Sequence, residues 1–278
     1  KKVRQFLINT YTKAVLQWGL DGLKLDFIDR FQTNGTLTEE MDIVSVEDAV
    51  QQLLAEISTA LKQIKPDILI EFRQPYFGPV VNTYANMMRV WDCPLDPATN
   101  KTQTVNLRLV SGNCAVHSDM MYWHREERPE NVALQLYGTM FAVPQISARM
   151  DEITEEQKIV LKHYLDFWIS HRETLTKGKL SVTFCENGYG SVETVYQKER
   201  MVMLSATNVL NIGNVSLTSY VINLTGCREV LIRNPEEKKL CCSVYDCMGN
   251  MLCKDCMTEK VLDQISVPPA GTLVVSQL

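Results

Sequence analysis

Near the start of the chain, Val3, Phe6, Leu7, Ala14 and Val15 recur at close to helical spacing, and Gly19 ends the pattern. The next run, Gly22-Leu23-Lys24-Leu25-Asp26-Phe27, alternates apolar and charged residues. Alternation predicts a short strand with Lys24 and Asp26 on one face. A polar loop over 29–40 leads to Ser45-Val46-Glu47-Asp48, whose serine-then-acid order marks a helix start. Val46, Val50, Leu53, Leu54, Ile57, Leu61 and Ile64 make the apolar stripe of that helix.

The same rhythm continues. Strands are predicted over 67–72, 87–92, 113–116 and 143–147, and helices over 79–86, 102–109, 129–141 and 154–173. The strand over 113–116 closes on His117-Ser118-Asp119. Strands that alternate with helices pair in parallel through helical crossovers. Five such strands, against the eight that close a barrel, predict an α/β fold that is a partial (β/α)8 TIM barrel, about strands 4 to 8, over residues 1–175.

From 176 the pattern changes to short alternating strands over 180–184, 192–196, 201–205, 216–224, 229–232, 241–245 and 271–275. Turn signals separate them, among them Asn187-Gly188, Asn234-Pro235, Gly249-Asn250 and Pro268-Pro269. This predicts a second domain over 176–278, an antiparallel β-sandwich, with the boundary at 176–178.

Composition narrows the classes of function. A hydrophobic share of 45% supplies a core, and 28 basic against 33 acidic residues leave a net charge of −5. That balance offers no attraction for a phosphate backbone, so nucleic acid is not an expected partner. No apolar run approaches the roughly 18 residues of a membrane span. The nine cysteines are odd in number and irregularly spaced, which excludes a full disulfide framework and makes reduced, partly buried thiols the expectation. Cys253-Lys254-Asp255-Cys256 has the spacing of half a zinc knuckle, but no second pair or nearby histidine completes it. No metal is expected. The chain opens on Lys1-Lys2-Val3 without a methionine, so it is expected to start downstream of a natural N-terminus. Its compartment, cytoplasmic or periplasmic, is left open.

The chemistry is expected where barrel strands end. Asp26 and Asp92 close two strand segments with one strand between them, an arrangement that suits glycosidic bond cleavage by a pair of carboxylates. Lys24, on the face of Asp26, would keep that carboxylate ionised as a nucleophile. Asp92 follows Val90 and Trp91, and apolar surroundings would raise its pKa as a proton donor requires. From spacing alone, Asp26 is equally a buried aspartate capping its loop, and Asp92 equally a structural loop residue. Arg73 and Arg89 offer forked donors to sugar hydroxyls or to a salt bridge. Asp119 would accept from a hydroxyl or orient His117. Trp123 would stack on a sugar or simply pack, and His124, His163 and His171 receive no role.

The segment from Gly19 to Asp29, followed by Arg73-Gln74-Pro75-Tyr76, Arg89-Val90-Trp91-Asp92-Cys93-Pro94, His117-Ser118-Asp119-Met120 and Val143-Pro144-Gln145-Ile146-Ser147, resembles the catalytic half of a glycoside hydrolase family 36 α-galactosidase of the melibiase type. The resemblance covers about residues 1–175. It implies that Asp26 is the nucleophile, Asp92 the acid/base, and the terminal sandwich the usual trailing domain. It further implies a retaining exo-enzyme that needs no cofactor or metal and binds a terminal α-galactosyl unit, with Lys24, Arg73, Arg89 and Asp119 as sugar contacts. Better known members carry a Cys/Gly-rich turn where this chain has Glu71-Phe72-Arg73-Gln74-Pro75-Tyr76, and Ser where it has Trp91. An α-glucosidase, an α-N-acetylgalactosaminidase or a non-catalytic carbohydrate-binding fragment are the alternatives. The isolated chain is expected to be inactive, and to self-associate or to dock with a preceding N-terminal part.

Overall fold

The computed structural model describes residues 1–277 except 34, 37, 187 and 214–216. Asn187 of the expected Asn187-Gly188 turn and Ser216 of the expected strand over 216–224 lie outside the described residues, as do two positions of the loop over 29–40. The chain forms two compact units, Lys1–Trp91 with Val110–His117, and Asp92–Leu109 with Ser118–Leu278.

In the first unit, helix α1 (Lys2–Trp18) stops at Gly19, whose left-handed φ of 64° lets its N–H reach the Val15 carbonyl. Strand β1 (Gly22–Lys24) follows. Helix α2 (Val46–Ile64) starts where the sequence places it, with the Ser45 hydroxyl accepting the Asp48 N–H at 3.1 Å. Strands β2 (Leu69–Arg73) and β3 (Met87–Arg89) and the first residues of β4 (Ala115–Met121) complete the unit. Their order is β1-β2-β3-β4, all parallel, with Leu23 opposite Ile70, Phe72 opposite Met88 and Arg89 opposite His117.

Period-two alternation divides this sheet into two chemically different faces. Ile70, Phe72, Met88 and Val116 are buried on one face. Ile70 and Phe72 join a core with Leu53, Leu54, Ile57 and Leu61 of α2 and Ile8 and Val15 of α1. Burying each such side chain contributes about 1.5–3 kcal/mol. The register puts Lys24, Glu71, Arg73, Arg89 and His117 on the other face. Gly22 sits where a Cβ would lie 2.7 Å from both the Cβ and the carbonyl oxygen of Leu69, so the close approach of β1 to β2 needs glycine there. The helix expected over 79–86 is a single 3-10 turn, Val81–Thr83. Proline at 79 and glycine at 78 start it late, and the chain has only three residues left before β3.

The second unit holds the loop from Asp92, nearly all of helix α3 (Pro97–Val110), the end of β4, helix α4 (Pro129–Gly138), strand β5 (Val143–Ile146) beside β4, and helix α5 (Glu155–Lys177). Thr154 and Gln157 cap α5 reciprocally. Helix gives way to strand at Gly178. The strands that follow are β6 (Lys179–Cys185), β7 (Gly188–Tyr196), β8 (Glu199–Leu204), β9 (Val209–Asn211), β10 (Thr218–Asn223), β11 (Glu229–Arg233), β12 (Leu240–Tyr245), β13 (Met251–Thr258), β14 (Leu262–Ser266) and β15 (Thr272–Gln277). They form one sheet in the order β13-β12-β15-β10-β8-β7-β6 and another in the order β14-β11-β9.

Pairing is mostly antiparallel, but β8 with β10 and β9 with β11 are parallel, a departure from the wholly antiparallel sandwich expected. Strands β9, β13 and β14 were not legible, because β9 is three residues long and the other two are largely exposed. Strand β8 is buried on both faces. Val202 and Leu204 join the core between the two sheets, while Met201 and Met203 join Tyr137, Phe141 and Tyr164 of the helices.

The expectation of reduced thiols is corrected at one pair. Cys253 and Cys256 are joined as a disulfide on β13. Asp255, at a left-handed φ of 51°, turns the strand between them and brings the two Cα atoms to 6.5 Å. Among the described residues, no cluster of three or more His, Cys, Asp or Glu is placed to hold a metal ion, and no helix is long and apolar enough to cross a membrane.

Candidate functional site

Asp26 lies two residues past the last residue of β1, and four groups converge on its carboxylate. Oδ1 accepts from the Arg73 Nε at 2.7 Å, from the Phe27 N–H at 2.8 Å and from the Tyr76 hydroxyl. Oδ2 faces the Lys24 Nζ at 3.3 Å. Local backbone geometry makes part of this possible. Phe27 takes a left-handed φ of 56°, and its N–H points to the preceding side chain and also reaches the Tyr76 oxygen at 3.1 Å. The Arg73 guanidinium stands over the Phe27 ring at 5.3 Å and the Tyr76 ring at 5.9 Å, within cation–π range of both.

Burial alone would raise the Asp26 carboxyl, but the hydrogen bonds from Tyr76, Arg73, Phe27 and Lys24 outweigh it and hold the group well below the usual carboxylate range. The group is therefore an anion at any physiological pH. The Tyr76 hydroxyl moves the opposite way, raised by burial and by the neighbouring carboxylate.

Further along the same sheet face, Glu71 lies between Arg89 and His117. Arg89, almost fully buried, brings its Nε to 4.0 Å from Glu71 Oε1, and His117 Nδ1 is 3.7 Å from Glu71 Oε2. Burial lowers the His117 pKa, opposed by the Glu71 charge and reinforced by Arg89. Two site residues, Glu71 and Tyr76, carried no role in the sequence. Glu71 was within reach, since it lies two residues before Arg73 on one strand and so shares its face. Tyr76 lies three residues beyond β2, where no periodicity applies.

In the second unit, Asp92 is exposed, so the apolar surroundings expected of it are not what this unit provides. The loop that carries it is nonetheless tied down. Asp119 is fully buried in β4, its Oδ2 accepts the Cys93 N–H at 2.5 Å, and Asn100 of α3 brackets its backbone with bonds of 3.0 and 3.1 Å. Where a sugar hydroxyl was expected, Asp119 Oδ2 takes a backbone donor next to Asp92. Trp123 packs in the core with 3% of its surface exposed. A cavity of about 350 Å³ opens beyond the C-terminal ends of β4 and β5, lined by Tyr122, His124, Arg125, Arg149 and Glu152 among others. The Tyr122 and His124 rings meet edge to face at 5.1 Å.

The first unit thus brings together Lys24, Asp26 and Arg73, and places Arg89 on the same face. The second joins the Asp92 loop to Asp119. No family model matches the sequence, and no curated protein matches it. Among solved structures, the chain is similar to an α-amylase from Anoxybacillus (TM-score 0.60, 12% identity, covering 100% of this chain and 63% of that one). It is also similar to a GH36 α-galactosidase from Geobacillus stearothermophilus (TM-score 0.59, 12% identity, 100% and 38%). The chain shares the fold of these two enzymes. An isomalto-dextranase from Arthrobacter globiformis is similar as well (TM-score 0.53, 11% identity, 99% and 48%). The chain spans less than two thirds of the length of each of these glycoside hydrolases. The charged sheet face of the first unit and the tethered Asp92 loop of the second carry the residues to which the sequence assigns chemistry.

Proposed function

We propose that this chain is the C-terminal part of a retaining exo-α-galactosidase, with Asp26 as nucleophile and Asp92 as acid/base. Residues 1–175 would be the last five strands of a (β/α)8 barrel and residues 176–278 its trailing β-sandwich domain. The observation that carries the reading is the Asp26 carboxylate, kept anionic by Arg73, Tyr76 and Lys24 at the C-terminal end of a parallel strand, the end at which barrel enzymes do their chemistry.

In the first step a carboxylate electron pair of Asp26 forms a bond to the anomeric carbon. The glycosidic C–O pair leaves with the departing oxygen, which takes a proton from Asp92. In the second step water attacks the same carbon, Asp92 takes the water's proton, and Asp26 is released as carboxylate. Lys24 and Arg89 would donate to sugar hydroxyls around that centre, Arg73 would act on the Asp26 carboxylate, and Asp119 would act from behind the Asp92 loop. The substrate would be a terminal α-galactoside of an oligosaccharide or glycoconjugate, and neither step calls for a cofactor. Self-association, or association with a preceding part of the chain, belongs to the same proposal.

The α-amylase similarity is as high as that to the α-galactosidase, which keeps an α-glucosidase as second reading. Chromogenic α-galactoside, α-glucoside and α-N-acetylgalactosaminide, tested on the intact protein, separate the possibilities. Turnover of the galactoside alone, abolished in Asp26→Asn, is expected. Turnover of the glucoside alone would replace the first reading by the second.

A further inference from the structure

We infer that Tyr76 and Arg73 are positioning residues that hold one oxygen of Asp26, Oδ1, and leave the other, Oδ2, to attack the anomeric carbon. This rests on the glycosidase reading above, and it assigns to Tyr76 and Arg73 a task other than contact with the sugar.

The two carboxylate oxygens stand in different surroundings. Oδ1 receives three donors, the Arg73 Nε, the Phe27 N–H and the Tyr76 hydroxyl. A carboxylate oxygen has two lone pairs in its plane, so three donors leave none of them free to form a new bond. Oδ2 meets the Lys24 ammonium at 3.3 Å, longer than a short charge-assisted hydrogen bond. It keeps a lone pair for attack. The choice between the oxygens is therefore made before any sugar arrives.

The holding groups are themselves held. Tyr76 is anchored by the Phe27 N–H and lies within 3.4 Å of the Leu25 carbonyl, so its hydroxyl sits against the backbone on both sides of Asp26. Arg73 is the last residue of β2, paired in register with Arg89 of β3, and its guanidinium stands over the rings of Phe27 and Tyr76. Rotation of the Asp26 carboxyl about its χ2 would break three bonds at once.

Both chemical steps gain from the arrangement. When Oδ2 bonds to the anomeric carbon, Oδ1 becomes the carbonyl oxygen of the ester and keeps its donors. When water attacks that carbon, the C–Oδ2 electron pair returns to the carboxyl group, and the developing charge is shared with Oδ1, where Tyr76 and Arg73 already point. Donors preorganised at the atom where charge develops act without reorganisation at the moment of reaction.

The test uses the intact protein with Tyr76→Phe, which removes only the hydroxyl, and Arg73→Lys, which keeps the charge but loses the fork. A 2-deoxy-2-fluoro-galactosyl fluoride first checks that wild-type Asp26 becomes labelled. Without that label on Asp26 the glycosidase reading itself falls, and this inference with it. With the label present, Tyr76→Phe is expected to lower kcat about 100-fold, the loss typical of one oxyanion-type donor, with KM little changed. The acidic limb of kcat/KM should move to higher pH by about one unit as the carboxylate loses a donor. The Asp26 carboxyl ¹³C signal should titrate at correspondingly higher pH. An unchanged acidic limb and an unchanged carboxyl titration in both variants, in protein that melts at the wild-type temperature, would overturn the assignment. So would a KM increase with kcat intact, which is the signature of sugar contact.

Discussion

Asp119 Oδ2 accepts the backbone N–H of Cys93 at 2.5 Å from a fully buried position, so the residue after Asp92 is tied to strand β4. Removing the acceptor leaves a buried or half-buried N–H without its charged partner, which costs about 1–3 kcal/mol. Asp119→Ala should therefore lower stability by that amount in urea unfolding. Activity should fall further than stability accounts for, because the Asp92 loop loses its tether. Asp119→Asn, which retains an acceptor oxygen, should recover most of the stability. Full activity in Asp119→Ala would remove the positioning role.

Acid sensitivity should trace in part to Asp26. Its folded pKa lies below its unfolded value because the Tyr76, Arg73, Phe27 and Lys24 bonds outweigh burial. The unfolded state thus binds the proton more readily, and the stabilisation is present above the unfolded pKa of about 3.9 and lost as pH falls through the folded one. Unfolding free energy measured from pH 7 down to pH 2 should drop more steeply below about pH 5 in wild type than in Asp26→Asn. Equal slopes would show that the carboxylate does not couple to folding.

Gly22 is a packing requirement. A Cβ there would sit 2.7 Å from two atoms of Leu69, so Gly22→Ala must push β1 away from β2. Overpacking of this kind costs about 1–3 kcal/mol. Thermal unfolding is the measurement, and a variant as stable as wild type would mean that the two strands can separate freely at that point.

Trp123 is core. Trp123→Ala should cost about 3–5 kcal/mol, the usual range for deleting a buried large aromatic. Trp123→Phe should be milder and should leave the KM for any glycoside unchanged. A selective rise in KM in Trp123→Phe would return the residue to the substrate.

Sequence pattern carried much of the fold and part of the site. The α2 stripe, the Ser45 start and the Gly19 stop are local properties of the chain, and each appears where its residues place it. The pairing of Lys24 with Asp26 was legible for the same reason, since residues two apart on an extended chain share a side. The 3-10 turn at Val81–Thr83 and the parallel pairs β8–β10 and β9–β11 were not. They depend on how much chain remains between fixed elements and on which strand arrives alongside which.

By itself, then, the sequence determined the alternation of elements, the switch to short strands at Gly178, and the shared side of Lys24 and Asp26, while strand register set Arg73 and Arg89 on the face of Lys24. Only the tertiary structure decided what those charges meet. Tyr76 reaches Asp26 from 50 residues away, Glu71 lies between Arg89 and His117, and Asp119 turns to the Cys93 backbone. Periodicity assigns a side chain to a face because the backbone repeat is short and regular. Its partner on that face comes from loop path and strand register, which distant packing sets.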